Sequence, residues 1–402
     1  MLLGIFSDTH LGFGDGDICD ESFERLKEAL AFFRKKNVDA VLHAGDLFDE
    51  AVPGQEVWRK AFDCFSENRG KETSFVREKF DESESVSMRG IPFFAIHGTH
   101  EFRGKDFANA LDVLESAGFL VQLHCAKVVL EKNGEKVAIH GMGGVPERNA
   151  KAVLQKFAPV LVEGAKNVLL LHQSFTEFLP FGDESVASLS LSDLPNGFDL
   201  IVDGHLHWQD EQNSEGRRLL LTGSTVFTQM KKLEAEREKG LFLFDTVSKK
   251  IEFVPFPVQR KLFYEKISFK GAKPEEVKSA VEEKVSNILC KDFELKPLIR
   301  FRLVGTLAKG FSQSDISFDL KDAEQKTILS ISKEFSSERF EKKMESFREE
   351  HLKRKSILEI GEDILEKNVE EAKLEGFDSR RMFGLLSEGE NEKAEEVLLE
   401  VD

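Results

Sequence analysis

The chain is short of tyrosine, of paired cysteine and of long apolar runs, and each shortage removes a class of protein. One tyrosine, Tyr264, stands against 36 phenylalanines, so the aromatic rings are read as packing material rather than as a phenol-rich contact surface. Four cysteines (Cys19, Cys64, Cys125 and Cys290) are scattered without a CxxC pair. That excludes a zinc ribbon or a disulfide framework and predicts free thiols in a reducing compartment. No apolar stretch approaches the roughly 18 residues needed to span a bilayer. No basic leader precedes Asp8, so a cleaved signal peptide is not expected and a cytoplasmic location is. A GxxxxGKS or GxxxxGKT loop is missing, which excludes P-loop ATP chemistry in this chain.

Positive charge is also scarce. Lys and Arg number 56 against 73 Asp and Glu, a formal net charge of -17. A broadly basic surface for non-specific nucleic-acid binding is therefore excluded. An enzyme acting on nucleic acid is not: carboxylate ligands add to the negative count, their metals offset it locally, and a partner can supply a basic groove.

What is present is a regular alternation. At 402 residues and 41% hydrophobic, the chain fills one large core and one smaller one. Leu3-Gly4-Ile5-Phe6 reads as a buried strand. Residues 21–36 place Phe23, Leu26, Leu30 and Phe33 at amphipathic-helix spacing. Ala40-Val41-Leu42 is a second strand ending at His43-Ala44-Gly45-Asp46. This predicts a layered α/β fold with ligands on loops after strands. Further strands are expected around 128–130, 137–139, 168–171, 200–202, 218–221, 241–244 and 251–253, completing two facing sheets, with helices at 57–65 and 107–117. Residues 67–88 are polar and charged, either an exposed insertion or extended helices carrying a subunit contact.

Pro255-Phe256-Pro257 closes a first domain, 1–256, because neither proline suits a central strand. Residues 257–335 predict a small α+β domain, with strands at 263–267 and 299–304 around a helix from 274 to 289. Pro274 fits that helix's first turn. Residues 336–402 are charged and helical. They read as a solvated acidic tail or, as the persisting large apolar residues favour, a tethered module that docks on a partner.

Ten histidines supply the chemical signal, because most fall where an apolar run stops. The motifs are Asp8-Thr9-His10, Gly45-Asp46, Gly98-Thr99-His100-Glu101, His172 and Gly204-His205-Leu206-His207. Two metals roughly 3.5–4 Å apart can grip a phosphate and its attacking oxygen, with an anionic ligand between them offsetting their repulsion. Asp8 and His10 reach one site if their turn is tight, and His205 and His207 repeat that spacing. Asp46 is the natural bridging carboxylate, and His172 ends the strongest strand signal. Any one of these histidines alone would read as structural. As an ordered series, Asp8, His10, Asp46, His172, His205 and His207 read as metal ligands. Mixed carboxylate and imidazole ligation suits Mn2+, without distinguishing it from Fe, Zn, Ni or Co.

This motif order resembles the calcineurin-like metallophosphoesterase superfamily, and within it the archaeal nuclease subunits of the double-strand-break repair complex. Motifs carry the resemblance through residue 210, and domain layout carries it beyond. It implies a two-sheet phosphoesterase sandwich flanked by helices, a DNA-capping domain over 257–335, and C-terminal helices over 336–402. Those helices would bind the coiled coils of an SMC-like, zinc-hook ATPase, and the chain would form a homodimer. The first metal would use Asp8, His10, Asp46 and His207; the second would share Asp46 and add His172 and His205.

His100 would face the scissile phosphate, stabilising developing charge or protonating the leaving 3′-oxygen. The implied activity is a Mn2+-dependent DNA exonuclease with 3′-to-5′ polarity on duplex ends and an endonuclease on single strands. Two departures stand out. Thr99 occupies the place of an asparagine whose carbonyl would reach the second metal, leaving weak or water-mediated contact there. Asp49 stands where a histidine is frequent, and it is left outside the metal set. A small-molecule phosphodiesterase and a weakly active DNA-binding scaffold are the alternatives. Phe62, Phe65, Leu111 and Leu114 are read as dimer-helix or core residues, Glu101 as a partner of His100 or a helix cap, and Arg103 and Lys105 as phosphate contacts.

Overall fold

The strands that precede the aspartate and histidine motifs are apolar along most of their length, the mark of strands covered on both faces. The computed structural model describes residues 1–336 apart from 69, 105–106, 179–188 and 215, together with 365–366 and 382–383. A six-stranded sheet runs Ile251–Pro255, Gly240–Asp245, Leu2–Phe6, Ala40–Ala44, Phe93–Ile96, Val121–Gln122. An eight-stranded sheet runs Asp210–Ser214, Arg217–Leu221, Leu200–Asp203, Lys166–Leu171, Glu135–Gly141, Ala126–Lys132, Glu72–Lys79, Glu82–Arg89. Within each sheet the motif-bearing strands are parallel to one another. Their carboxyl ends, and the loops that follow, therefore share one edge of each sheet.

Alternation along a strand separates two cores. Val168 and Leu170 join the large core with Leu3, Ile5, Leu42 and Phe94. Leu169 and Leu171 point the other way, into a second core with Ala150 and Leu154 of helix Glu147–Phe157. Helix Asp17–Lys36 buries Phe23, Leu26, Leu30 and Phe33 in the large core. The Phe33 ring occupies the space where a Cβ on Gly4 would sit. Truncating Phe33 to alanine would cost about 3–5 kcal/mol. This is the α/β two-sheet sandwich flanked by helices that the sequence predicts.

Residues 67–88 do not form extended helices. They contribute a β-hairpin, Glu72–Lys79 paired with Glu82–Arg89, that extends the larger sheet. Only Phe75, Val86 and Met88 are buried there, too sparse an alternation to stand out among charged residues. Arg77 ties the hairpin down, donating to Glu115 Oε2 at 2.8 Å and to the Gln122 carbonyl at 2.7 Å. Strand Asp210–Ser214 was equally silent, being polar throughout. Phe65, Leu111 and Leu114 are fully buried in the large core, and Phe62 stacks on Trp58 at 5.6 Å. The four cysteines are free. Among the described residues, no helix is long and apolar enough to cross a membrane.

The chain divides into two compact units. Among the described residues, one comprises residues 1–265, 291–300 and 324–329; the other comprises 266–290, 301–323 and 330–336. The elements expected after Pro257 are present as Leu262–Ala272, Pro274–Leu289 and Leu298–Leu307. Strand Ile328–Phe335 completes a three-stranded sheet with the two strands. Val277, Val281, Val285 and Ile288 form the helix's buried stripe. Pro255 ends an edge strand, where its missing N–H does no harm. The helical expectation for 336–402, apart from residues 336, 365–366 and 382–383, and the expectation for Lys105 fall outside the described residues.

Candidate metal centre

Five loops leave the carboxyl ends of strands and converge. Asp8 and His10 follow Leu2–Phe6, Asp46 follows Ala40–Ala44, and Thr99 and His100 follow Phe93–Ile96. His172 follows Lys166–Leu171, and His205 and His207 follow Leu200–Asp203. Four of these residues have left-handed backbone, with φ of 49° at Asp8, 48° at His10, 51° at Asp46 and 71° at His205. Such conformations are uncommon outside glycine and persist where surrounding structure enforces them. Here the enforcement is visible. The Asp8 N–H donates to the Gly45 carbonyl at 2.9 Å and the His10 N–H to the Asp46 carbonyl at 3.1 Å. The His205 N–H donates to both Asp8 oxygens at 3.0 and 3.1 Å, and the His100 N–H to Asp46 Oδ1 at 2.9 Å.

The six expected ligands fall into two adjacent groups. Asp8, His10 and His207 form one; Asp46, His172 and His205 form the other. Asp46 Oδ2 lies 3.1 Å from His172 Nε2 and 4.0 Å from His10 Nε2, so it stands between them. His10 Nε2 and His207 Nε2 are 3.3 Å apart, with Asp8 Oδ1 3.5 Å from the latter. Glycines keep the space open: a Cβ on Gly45 would strike His172 Nδ1, and one on Gly98 would strike Asp46 Oδ1.

Tautomers follow from the outer hydrogen bonds. His172 Nδ1 donates to the Ala44 carbonyl at 2.8 Å, and His10 Nδ1 donates to Asp49 Oδ1 at 3.0 Å. Each neutral ring then aims an Nε2 lone pair inward, and buried His172 Nε2 has no hydrogen-bond partner among the described residues. Two facing imidazole nitrogens and an orphaned third repel one another unless a proton or a cation sits among them. Burial works against charge on His172, yet Asp46 and Asp8 outweigh it and raise that imidazole to about 10. Burial also opposes ionisation of Asp46, but the charge of His172 holds it well below the usual carboxylate range. Burial, aided by the Asp46 charge, lifts Asp8 to about 6. Burial and the charge on His172 push His205 down to about 3, leaving a neutral donor. This donor set of carboxylates and neutral imidazoles fits divalent cations.

His100 lies outside both groups, 44% exposed. Its ring stands 4.8 Å from that of His10, and its Nδ1 donates to the Asp49 carbonyl at 2.6 Å. Thr99 is half-buried beside it, and its hydroxyl forms no hydrogen bond among the described residues. Glu101 neither pairs with His100 nor caps a helix. Its carboxylate accepts from the N–H groups of Phe48 and Gly98 instead, because burial turns it toward those otherwise unpaired donors.

Sequence reading missed three supports. Asp49, only three residues beyond Asp46, touches both His10 and His100; that short spacing was a usable signal. Lys239 gave none. Its buried Nζ donates to the His207 carbonyl at 2.8 Å, Ser224 Oγ at 2.7 Å and Glu234 Oε1 at 2.8 Å. Thr228 hydrogen-bonds His207 Nδ1, and its own N–H is held by Glu234. His43, His97 and His140 are packed and bonded to Thr9, Gln122 and Asn167.

Residues 1–209 match the family model for calcineurin-like phosphoesterases. The chain is 29% identical over 312 residues to the double-strand break repair protein MRE11 of Encephalitozoon cuniculi, a match covering 71% of this chain and 52% of that protein. It is 26% identical over 331 residues to the DNA double-strand break repair protein Mre11 of Thermoplasma acidophilum, covering 78% and 79%. Against the Homo sapiens double-strand break repair protein MRE11 it is 27% identical over 314 residues, covering 65% and 42%. The chain thus spans about half the length of the first of these relatives.

Proposed function

This chain belongs to the calcineurin-like phosphoesterase family, and from that premise we propose that it is a divalent-metal-dependent DNA nuclease of double-strand-break repair. The observation that carries the chemistry is the inward convergence of the His10, His172 and His207 Nε2 atoms around Asp8 and Asp46. DNA as substrate is supported by what the similar proteins are named for. Asp8, His10, Asp46 and His207 would hold one cation, and Asp46, His172 and His205 the other, Mn2+ being the expected metal. When bound, the pair would polarise a phosphodiester and lower the pKa of an attacking water.

The protein's own residues then position and protonate. The N–H groups of His100 and His205 fix the carboxylates of Asp46 and Asp8. A carbonyl can only accept, so His100 carries its proton on Nδ1 when neutral. It can donate from Nε2 to a leaving oxygen only as an imidazolium, the form in which it would also hold phosphate. Residues 257–335 would cap the DNA, and the helices after 335 would bind an SMC-like zinc-hook ATPase. Action 3′ to 5′ on duplex ends, endonuclease action on single strands and homodimer formation belong to the same proposal.

The test is cleavage of end-labelled duplex and single-stranded DNA with Mn2+, beside hydrolysis of bis(p-nitrophenyl) phosphate. DNA cleavage lost in His100→Ala with metal binding retained supports the reading. Ester hydrolysis without DNA cleavage, even with the ATPase present, favours a small-molecule phosphodiesterase. Thr99 motivates a scaffold reading, since a hydroxyl replaces a carbonyl ligand. Cleavage that is negligible in wild type and strong in Thr99→Asn would establish that alternative.

A further inference from the structure

A cavity of about 920 Å³ opens beside the loop that carries His100. Its wall includes His97, just before Gly98–Glu101, and Phe102 and Arg103, just after it. The remaining wall comes from the hairpin, through Lys79 and Phe80, and from Phe107 and Lys156. That volume lies within the range of ligand pockets, roughly 300–1,000 Å³.

The lining combines two chemistries. Phe80, Phe102 and Phe107 are 55%, 41% and 64% exposed, so three aromatic rings stand open in one place. Cations accompany them: Arg103 lies 5.0 Å from the Phe107 centroid and Lys156 Nζ 6.0 Å from that of Phe80. The carboxylates of the wall are already engaged. Glu84 and Glu115 pair with Arg77, and Asp112 accepts from the Asn109 N–H. Lys79, Arg103 and Lys156 form no ion pair among the described residues. Arg103 donates to the Ala108 carbonyl at 3.0 Å, and in a chain of net charge -17 the three are cations that no carboxylate neutralises.

Exposed aromatic rings interleaved with cations that no carboxylate neutralises suit bases and phosphates of an unpaired strand. A duplex keeps its base faces stacked and has nothing to lay against a phenylalanine. We propose that this cavity is a subsite for single-stranded DNA, with bases against Phe80, Phe102 and Phe107 and phosphates near Lys79, Arg103 and Lys156. The subsite rests on the nuclease reading above and extends it, by placing unpaired strand next to the His100 loop.

The test measures binding of the full chain in EDTA, which prevents cleavage, by fluorescence anisotropy with labelled oligothymidylate and with a blunt duplex. Phe80 and Phe107 are exposed, so the double variant Phe80→Ala/Phe107→Ala should keep its thermal midpoint. It should bind oligothymidylate at least about tenfold more weakly, with duplex affinity changed less than twofold. A second variant, Lys79→Gln/Lys156→Gln, should lower the salt slope of oligothymidylate binding by about 0.7 per contact removed. Unchanged oligothymidylate affinity in the double variant, or an equal loss toward duplex, overturns the subsite. If wild type still cleaves DNA in that case, the nuclease reading stands and only the subsite falls. If wild type hydrolyses bis(p-nitrophenyl) phosphate but neither binds nor cleaves DNA, both fall.

Discussion

The Glu101 carboxylate accepts a hydrogen bond from the Phe48 N–H at 2.8 Å, joining two loops that lie 53 positions apart in the chain. Its other oxygen accepts from the Gly98 N–H at 2.9 Å. One buried side chain thereby holds the loop of Asp46 against the loop of His100. Replacing Glu101 with alanine leaves two buried N–H groups unpaired, at about 1–3 kcal/mol each. Urea denaturation of Glu101→Ala should show a loss of roughly 2–6 kcal/mol on that scale. A loss below about 0.5 kcal/mol, the range of ordinary surface substitutions, would show that the bridge does not hold the loops.

Asp49 touches two imidazoles, through its carboxylate to His10 and its carbonyl to His100. The carboxylate contact fixes which His10 nitrogen faces the cluster. Outer partners of this kind are worth about 10–100-fold in metal affinity. Calorimetric titration of Asp49→Ala with Mn2+ should show that loss, with Asp49→Asn intermediate. Wild-type affinity in Asp49→Ala would contradict the orienting role.

Lys239 and Glu234 are a buried ion pair at 2.8 Å, with Lys239 also 4.6 Å from the Phe227 ring centroid. Removing one partner of a buried pair strands the other charge, at about 3–5 kcal/mol. Lys239→Met should lose that much stability and weaken Mn2+ binding through the displaced His207 loop. The double variant Lys239→Met/Glu234→Leu should recover part of the stability, because no charge is left buried although the Thr228 and Gln229 N–H groups lose their acceptor. Equal stability of the two variants would contradict the pairing.

Burial pushes the imidazoles of His97, His124 and His140 down to about 3, 4 and 4. In the unfolded chain they titrate near 6.5. The unfolded state therefore binds more protons below that value. Stability held above pH 6.5 is lost progressively on acidification and levels off near pH 3–4. Denaturation midpoints should fall between pH 7 and pH 5. In His140→Asn that fall should shrink by about 1 kcal/mol or more. An identical fall in the variant would show that His140 carries no burial penalty.

The sheets and the ligand loops were legible for one physical reason. Strands buried on both faces, such as Val168-Leu169-Leu170-Leu171, are written as unbroken apolar runs, and an expected ligand such as His172 interrupts them where the strand ends. The hairpin of residues 72–89 was not legible, since only Phe75, Val86 and Met88 touch the core. Helix Glu147–Phe157 did carry a signal, with Ala150, Val153, Leu154 and Phe157 at helical spacing. Lys239 and Glu101 were opaque in the sequence. Their roles come from backbone groups contributed by distant loops, and no spacing rule records those.

The central claim is that Asp46 joins two cations in one site. Counting Mn2+ bound per chain, by calorimetry on metal-stripped protein, tests it directly. Wild type should take up two ions, and Asp46→Ala should bind at most one, with cleavage lost. Two ions bound by Asp46→Ala, or none by wild type, would contradict the account.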